Sequence, residues 1–167
     1  MITIGIDPGT ARLGYGIIAG TEQPRALDFG VIETAAHSAM PGRLLSLYEA
    51  VSGLIERHKP DALAVEQLFF ARNVTTAMTV GQARGVVLLA GAQAGVSVAE
   101  YTPSEVKQAV AGYGKASKWQ MQEMVRILLE LEHVPHPDDA ADALAVALCH
   151  AHHRGPGADR IARAAAS

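Results

Sequence analysis

The stretch that decides the fold is Ile2-Thr3-Ile4-Gly5-Ile6-Asp7-Pro8-Gly9, at the start of the chain. Its apolar and small residues predict a short buried strand, and Pro8-Gly9 predicts a turn directly after it. The strand ends on the carboxylate of Asp7. Ionisation is costly at the end of a central strand unless a metal ion or another cation compensates the charge. The alternative is that Asp7 simply begins the turn.

Composition favours a single compact domain. Of 167 residues, 49% are hydrophobic and 19% are charged, which is sufficient for one core and argues against disorder. The net charge of −3 gives no overall attraction to nucleic acid, so DNA binding would depend on local basic patches. Because there is one cysteine and no leader-like or membrane-spanning segment, we expect a cytoplasmic protein without a disulfide or a membrane anchor.

The predicted elements are three strands, a helix, a strand, a helix, a strand and then further helices. Strands are predicted at residues 2–6, 13–19, 26–34, 61–65 and 96–101, and helices at 41–59, 75–94, from 103, from 118 and at 138–152. An antiparallel meander followed by parallel crossovers indicates an α/β fold, a mixed five-stranded sheet with helices on both faces. We expect one domain over residues 1–153 and a flexible tail over residues 154–167.

Two helix starts carry capping signals. Thr102-Pro103-Ser104-Glu105 places threonine at the N-cap, proline at the first helical position and glutamate at the third. Ser117 with Gln120 can cap the next helix in the same way.

Three further acids repeat the pattern of Asp7. Glu66 directly follows the fourth predicted strand, and Asp139 and Asp142 share one face near the start of the last helix. If this helix packs by the carboxyl ends of the strands, the four oxygen-rich side chains suit Mg²⁺ or Mn²⁺. Two such ions can activate water and stabilise the leaving oxygen of a phosphoryl displacement. Alternatively, Glu66 is solvent-exposed, and Asp139 and Asp142 are surface acids that complement the helix dipole. Asp138 is the candidate N-cap of this helix.

A basic segment and an aromatic pair are candidate nucleic-acid contacts. Lys107, Lys115 and Lys118 fall in one segment without acids, as expected for a docking patch. Phe69-Phe70 and then Arg72 follow the fourth predicted strand, and aromatic rings there could stack on bases or wedge between them. The alternatives are an ordinary solvated face for the lysines and a core or dimer-interface role for the rings.

Four histidines near the C-terminus are weaker candidates. His136 lies beside the acids and could be a ligand or proton relay, although a solvated loop histidine is the favoured interpretation. His150, His152 and His153 resemble a metal-binding tract, but we favour a solvated helix end.

Five segments together resemble the RuvC family of Holliday-junction endonucleases (crossover junction endodeoxyribonucleases), within the ribonuclease H-like superfamily. They occur in the family's order: Gly5-Ile6-Asp7-Pro8-Gly9, Val65-Glu66-Gln67, Gly81-Gln82-Ala83-Arg84-Gly85, Val106-Lys107-Gln108 and Asp139-Ala140-Ala141-Asp142-Ala143-Leu144-Ala145. The resemblance covers the chain to about residue 153. The doubled acid Asp138-Asp139 departs from the family pattern, and we align on Asp139 because it preserves the spacing to Asp142.

The resemblance implies a metal-dependent endonuclease that resolves Holliday junctions by paired symmetric nicks in DNA recombination and repair. It implies two Mg²⁺ ions per site, with Mn²⁺ as a substitute, held by Asp7, Glu66, Asp139 and Asp142. The implied DNA contacts include Phe69, with Phe70 as its neighbouring alternative, and Lys107 and Lys118. The resemblance also implies a homodimer that cooperates with the RuvA and RuvB branch-migration proteins.

Symmetry also favours a dimer if the chain resolves four-way junctions, as the resemblance implies. A four-way junction is resolved by cutting two like strands, and one carboxylate cluster cuts one of them. A two-fold dimer supplies two identical sites through an isologous interface. The helix rich in glycine and alanine over residues 74–93 is the candidate surface, although a buried core helix would have the same composition.

Two other classes of protein remain as alternatives. Ile4-Gly5-Ile6-Asp7-Pro8-Gly9-Thr10 also resembles the first phosphate loop of the actin, Hsp70 and sugar-kinase group. Those proteins need a second lobe, for which 167 residues leave no room. They also need a later glycine-rich phosphate loop containing aspartate, and this sequence has none. A catalytically silent DNA-binding module is the second alternative, and the four intact carboxylates argue against it.

Overall fold

A computed structural model describes residues 1–67 and 74–154, and this part of the chain contains five strands and five helices. The strands are β1 (Ile2–Asp7), β2 (Arg12–Ala19), β3 (Arg25–Glu33), β4 (Ala62–Glu66) and β5 (Ser97–Tyr101). The helices are α1 (Met40–His58), α2 (Val74–Gln93), α3 (Pro103–Ala111), α4 (Lys118–Leu128) and α5 (Asp138–His153). The predicted order is confirmed, with ends that differ by one or two residues. The expected tail beyond residue 154 lies outside the described residues.

The five strands form one mixed sheet in the order β3-β2-β1-β4-β5. β1 pairs antiparallel with β2 and parallel with β4, so the meander and the crossovers meet at the central strand. Ile6 lies opposite Val65 in the parallel pair. Asp7 and Glu66, each one residue further on, therefore lie next to each other at the same edge of the sheet.

Helices cover both faces of the sheet, as predicted. Ile4 and Ile6 of β1 point to the face that packs against α1 and α2, in one buried cluster. Ala64 and Tyr101 point to the other face, where they join α3, α4 and α5 in a second cluster. Burying an isoleucine side chain completely, as at Ile4 and Ile6, stabilises the fold by about 1.5–3 kcal/mol relative to leaving it exposed. The described helices include none with the length and apolar content required to cross a bilayer.

Both predicted capping boxes are present. The Thr102 hydroxyl accepts a hydrogen bond from the Glu105 backbone N–H, and the Glu105 carboxylate accepts one from the Thr102 backbone N–H. Ser117 and Gln120 make the same reciprocal pair at the start of α4. Local sequence therefore determines where α3 and α4 begin.

Two predictions near α5 are wrong. Asp138 is the first residue of the helix rather than its N-cap, which is Pro137, and its side chain accepts a hydrogen bond from Gln122 instead. His150 is not solvated, because it is 1% exposed and its Nδ1 lies 2.8 Å from the Tyr101 hydroxyl. His150 is buried because α5 lies between the sheet and α3 and α4 and is enclosed from Ala140 to Ala151.

Glycines in β1 and β2 allow α5 to approach the sheet closely. A Cβ atom at Gly5 would lie 2.1 Å from the carbonyl oxygen of Ala143, and one at Gly16 would lie 2.7 Å from Leu144. The opposing surface of α5 is itself built from small residues such as Ala143 and Ala147, which are fully buried. The glycines are therefore required for close packing.

Replacing Gly5 by alanine is expected to lower the free energy of unfolding by about 1–3 kcal/mol, because α5 must move away from the added methyl group. Urea denaturation followed by circular dichroism measures this change. Gly53→Ala in the interior of α1 is the control, since a Cβ atom there meets nothing within 4 Å. That variant should gain about 0.5–1 kcal/mol, and equal effects of the two substitutions would contradict the packing argument.

Candidate active site

Four carboxylates meet where the carboxyl ends of β1 and β4 face the start of α5. Asp7 and Glu66 are joined by a side-chain hydrogen bond. Asp139 is brought to this edge because α5 begins against β2, where a Cβ atom at Gly14 would lie 2.0 Å from the Asp139 carbonyl oxygen. Asp142 follows one helical turn later, and its charge acts on both strand carboxylates. The predicted convergence of the four acids is therefore a property of the fold.

The strand carboxylates are held in an environment that opposes their ionisation. The pKa of Asp7 is raised to about 8, chiefly by burial and then by the charge of Glu66. The pKa of Glu66 is raised to about 7, again chiefly by burial and then by the charge of Asp142. A side-chain hydrogen bond with Asp7 acts in the opposite direction and lowers the pKa of Glu66. Two desolvated acids in contact create a strong demand for positive charge.

Two cations already bind the helix carboxylates. Lys118 Nζ lies 3.3 Å from Asp142 Oδ2 and 3.2 Å from Asp138 Oδ2. Arg12 Nη1 lies 3.4 Å from Asp139 Oδ2, and Arg12 Nη2 lies 3.0 Å from Glu33 Oε1. The acids of α5 are thus paired, yet the pKa of Asp142 is still raised, chiefly by burial and against the lowering effect of Lys118.

The donor chemistry fits a hard divalent cation. All four groups are carboxylates, and oxygen ligands from carboxylates are those that Mg²⁺ and Mn²⁺ prefer. Among residues 1–67 and 74–154, no three His, Cys, Asp or Glu side chains already form a cage for an ion. Asp139 and Asp142 are instead paired with Arg12 and Lys118.

A cavity of about 280 Å³ opens beside the acids, and Lys107 and Lys118 line it together with Glu66 and Asp142. The charge of Lys107 lowers the pKa of Glu66, which shows that this lysine is within electrostatic reach of the site. Lys115 is exposed on the loop between α3 and α4. The structure therefore brings two of the three predicted lysines to the carboxylates.

The remaining candidates are distributed as follows. Phe69, Phe70 and Arg72 lie outside the described residues. His136 is exposed near Asp138, consistent with the solvated interpretation. His152 and His153 are also exposed and bond to backbone carbonyl groups, which does not support a metal-binding tract.

Sequence reasoning missed Arg12 as a member of the site. Arg12 and Asp139 are 127 positions apart, and no periodicity or motif links them. The one available signal was the acidity of the start of α5, which indicates a need for cations but does not identify which residues supply them. Gln122, which donates to Asp138 over 3.0 Å, was missed for the same reason.

Comparisons with known proteins agree with this site and fold. A family model described as crossover junction endodeoxyribonuclease RuvC matches residues 3–150. The RuvC of Thermomicrobium roseum is 58% identical over 150 residues, which are 90% of this chain and 92% of that protein. The structure of Thermus thermophilus RuvC superposes with a TM-score of 0.87 at 41% identity, covering 94% of this chain and 97% of that one.

A second structure, T. thermophilus RuvC in complex with Holliday junction substrate, superposes with a TM-score of 0.84 at 39% identity. It covers 92% of this chain and 94% of that one. The family match extends from β1 into α5 and so includes all four site carboxylates. The chain therefore belongs to the RuvC family of crossover junction endodeoxyribonucleases and has a ribonuclease H-like fold.

Proposed function

We propose that this chain resolves Holliday junctions by paired symmetric nicks in DNA recombination and repair, leaving 5′-phosphate and 3′-hydroxyl ends. The observation that carries the proposal is the hydrogen-bonded pair of Asp7 and Glu66, with Asp142 and Lys118 beside it. Family membership makes the chain a nuclease. That T. thermophilus RuvC was solved with a Holliday junction supports a four-way junction as the substrate.

Asp7, Glu66, Asp139 and Asp142 are the proposed metal ligands and catalytic residues, holding two Mg²⁺ ions with Mn²⁺ as a substitute. When bound, the ions would supply activation of water and neutralisation of the leaving oxygen. The support is the all-carboxylate donor set and the unfavourable charge at Asp7 and Glu66, whose pKa values are raised to about 8 and about 7.

Lys107 and Lys118 are proposed to hold the phosphate group that is cut. They line the same cavity as Glu66 and Asp142, so a phosphate placed there would lie between the lysines and the acids. Lys118 can exchange its carboxylate partners for phosphate oxygens, which frees Asp142 to act as a ligand. Positive charge at this position would also stabilise the charge that develops on the phosphate in the transition state.

A homodimer is proposed because two like strands must be cut and each chain supplies one site. The exposed apolar residues Val74, Met78 and Leu89 of α2 support this helix as the interface. Cooperation with RuvA and RuvB and a cytoplasmic location are proposed from family membership. The roles of Phe69, Phe70, Arg72 and Lys115 in DNA binding remain predictions from the sequence.

Asp7→Asn is expected to reduce nicking of a synthetic four-way junction by about 100-fold or more, because a ligand and its charge are lost. Junction binding, measured by fluorescence anisotropy in EDTA, should persist. Glu49→Gln on the exposed face of α1 is the matched control and should cut normally. Nicking at the normal rate by Asp7→Asn, or ATP binding without any nicking by the wild-type protein, would overturn the mechanism.

Stability without metal should fall as the pH rises from about 5 to about 8. The pKa values of Asp7 and Glu66 in the folded protein, about 8 and about 7, exceed the ordinary values of 3.8 and 4.5. In this window the folded state retains protons that the unfolded state releases, so a rising pH favours unfolding.

Urea denaturation in EDTA at pH 5 and pH 8 measures this effect. The Asp7→Asn variant should show a smaller loss between the two pH values than wild-type protein, and Glu49→Gln should show the full loss. Adding Mg²⁺ at pH 8 should restore stability to wild-type protein more than to Asp7→Asn. An identical pH dependence in the wild-type protein and Asp7→Asn would contradict the assigned pKa values.

Lys107→Gln is expected to weaken junction binding and to reduce the slope of log affinity against log salt by about one, because one phosphate contact is lost. Lys59→Gln is the control, since Lys59 follows α1 and is the one lysine outside the basic segment. Binding measured by anisotropy over a range of NaCl concentrations gives both slopes. Equal slopes for Lys107→Gln and wild-type protein would remove Lys107 from the DNA-binding surface.

A further inference from the structure

The one tryptophan of the chain, Trp119, is 71% exposed on α4. The buried residues of this helix are Met121 and Val125, which face α3 and α5. At about 100° per residue, Trp119 points away from both of them. A large aromatic ring in water on the surface of a folded domain is a typical feature of a binding site, because such rings contribute most when they are covered.

Trp119 and Tyr113 flank an open groove of about 200 Å³ whose remaining lining is Ala111, Gln120, Glu123 and Met124. The Tyr113 hydroxyl donates to Gln120 Oε1 over 2.6 Å. The same oxygen accepts from the Ser117 backbone N–H over 2.9 Å, as part of the capping box of α4. Tyr113 is therefore held in place by the structure that begins the helix, and the groove has one ordered aromatic wall.

The groove adjoins the active site. The Cα atoms of Lys118 and Trp119 are consecutive along the chain and about 3.8 Å apart. Lys118 Nζ lies 3.3 Å from Asp142 Oδ2, at the carboxylate cluster. Gln122, one turn further along α4, donates to Asp138. The start of α4 is thus the rim of the carboxylate cluster, so a DNA strand placed at the cluster extends over or beside this rim.

The chain segment that carries the groove is basic, which favours a polyanion as its occupant. Residues 106–122 contain Lys107, Lys115 and Lys118 and no acid. Glu123 lines the groove, but its carboxylate is paired with Arg126 Nη2 at 3.1 Å. Aromatic walls beside lysines fit a nucleic acid, whose bases offer faces for stacking and whose phosphates pair with cations.

We propose that Trp119 and Tyr113 form a contact site for DNA beside the cleaved strand. A base or deoxyribose would occupy the groove, while a neighbouring phosphate pairs with Lys115, and Lys118 remains with the phosphate that is cut. The occupant is the junction arm that leads away from the carboxylates, so the inference rests on the proposed function. The two aromatic residues act in DNA binding and positioning, outside the chemical step.

Tryptophan fluorescence tests the contact directly, because Trp119 is the sole source of this signal. The protein is titrated with an unlabelled synthetic four-way junction in EDTA, which prevents cleavage, and quenching by acrylamide is measured at each point. Saturating junction is expected to change the emission and to protect Trp119 from acrylamide. Anisotropy of a labelled junction measures binding independently in the same buffer.

Substitutions give the energetic part of the test. Trp119→Ala should weaken junction binding about tenfold, whereas Trp119→Phe should retain most of the affinity because it keeps a stacking ring. Ile127→Ala is the control, since Ile127 is 55% exposed on the same helix and lies away from the groove. Thermal unfolding confirms that each variant is folded.

Each outcome distinguishes this inference from the proposed function. If the junction binds and is cut but Trp119 remains equally open to acrylamide and Trp119→Ala binds normally, the aromatic contact is wrong and the proposed function stands. If the protein neither binds nor cuts the junction, both are wrong. Protection of Trp119 that depends on protein concentration without DNA would mean that a second copy occupies the groove, which also overturns the inference.

Discussion

Close contact between α5 and the central strand is the constraint on which the rest of the structure depends. The backbone of α5 can reach β1 because Gly5 has no side chain, and a Cβ atom there would lie 2.1 Å from the Ala143 carbonyl oxygen. Gly14 has the same role at the start of the helix, against Asp139. Moving α5 outward by even the width of a methyl group would separate the helix acids from Asp7. The packing of α5 and the grouping of the four acids therefore depend on the same contact.

Bringing acids together creates an electrostatic problem that the chain solves in two ways. At the helix, Lys118 and Arg12 pair with the carboxylates, which are partly exposed. At the strand ends, Asp7 and Glu66 are more deeply buried, and their raised pKa values favour the uncharged form. In the proposed function, metal ions would replace the protons on Asp7 and Glu66, and a phosphate would replace the carboxylate partners of Lys118. A site that binds metal and DNA benefits from such weakly held substitutes.

Much of the fold and of the candidate site follows from local sequence. One predicted strand ends on Asp7 and another on Glu66. Parallel neighbouring strands have their carboxyl ends at the same edge of the sheet, so the two acids were expected to lie together there. The capping residues Thr102 and Ser117 predicted the starts of two helices. Asp138 was wrongly predicted to be an N-cap and His150 to be solvated, because the local sequence does not show the side chains that each one contacts. Their partners, Lys118 and Tyr101, come from other parts of the chain.

The sequence by itself determined the elements, the family and the four acids, because periodicity, capping and motif spacing act over a few residues. Only the tertiary structure decided which cations oppose those acids, how far each carboxylate is desolvated, and that Trp119 stands exposed beside the site. Desolvation and ion pairing depend on atoms that lie close in space and far apart along the chain. Arg12 and Asp139 show this, since 127 positions separate two groups that lie 3.4 Å apart.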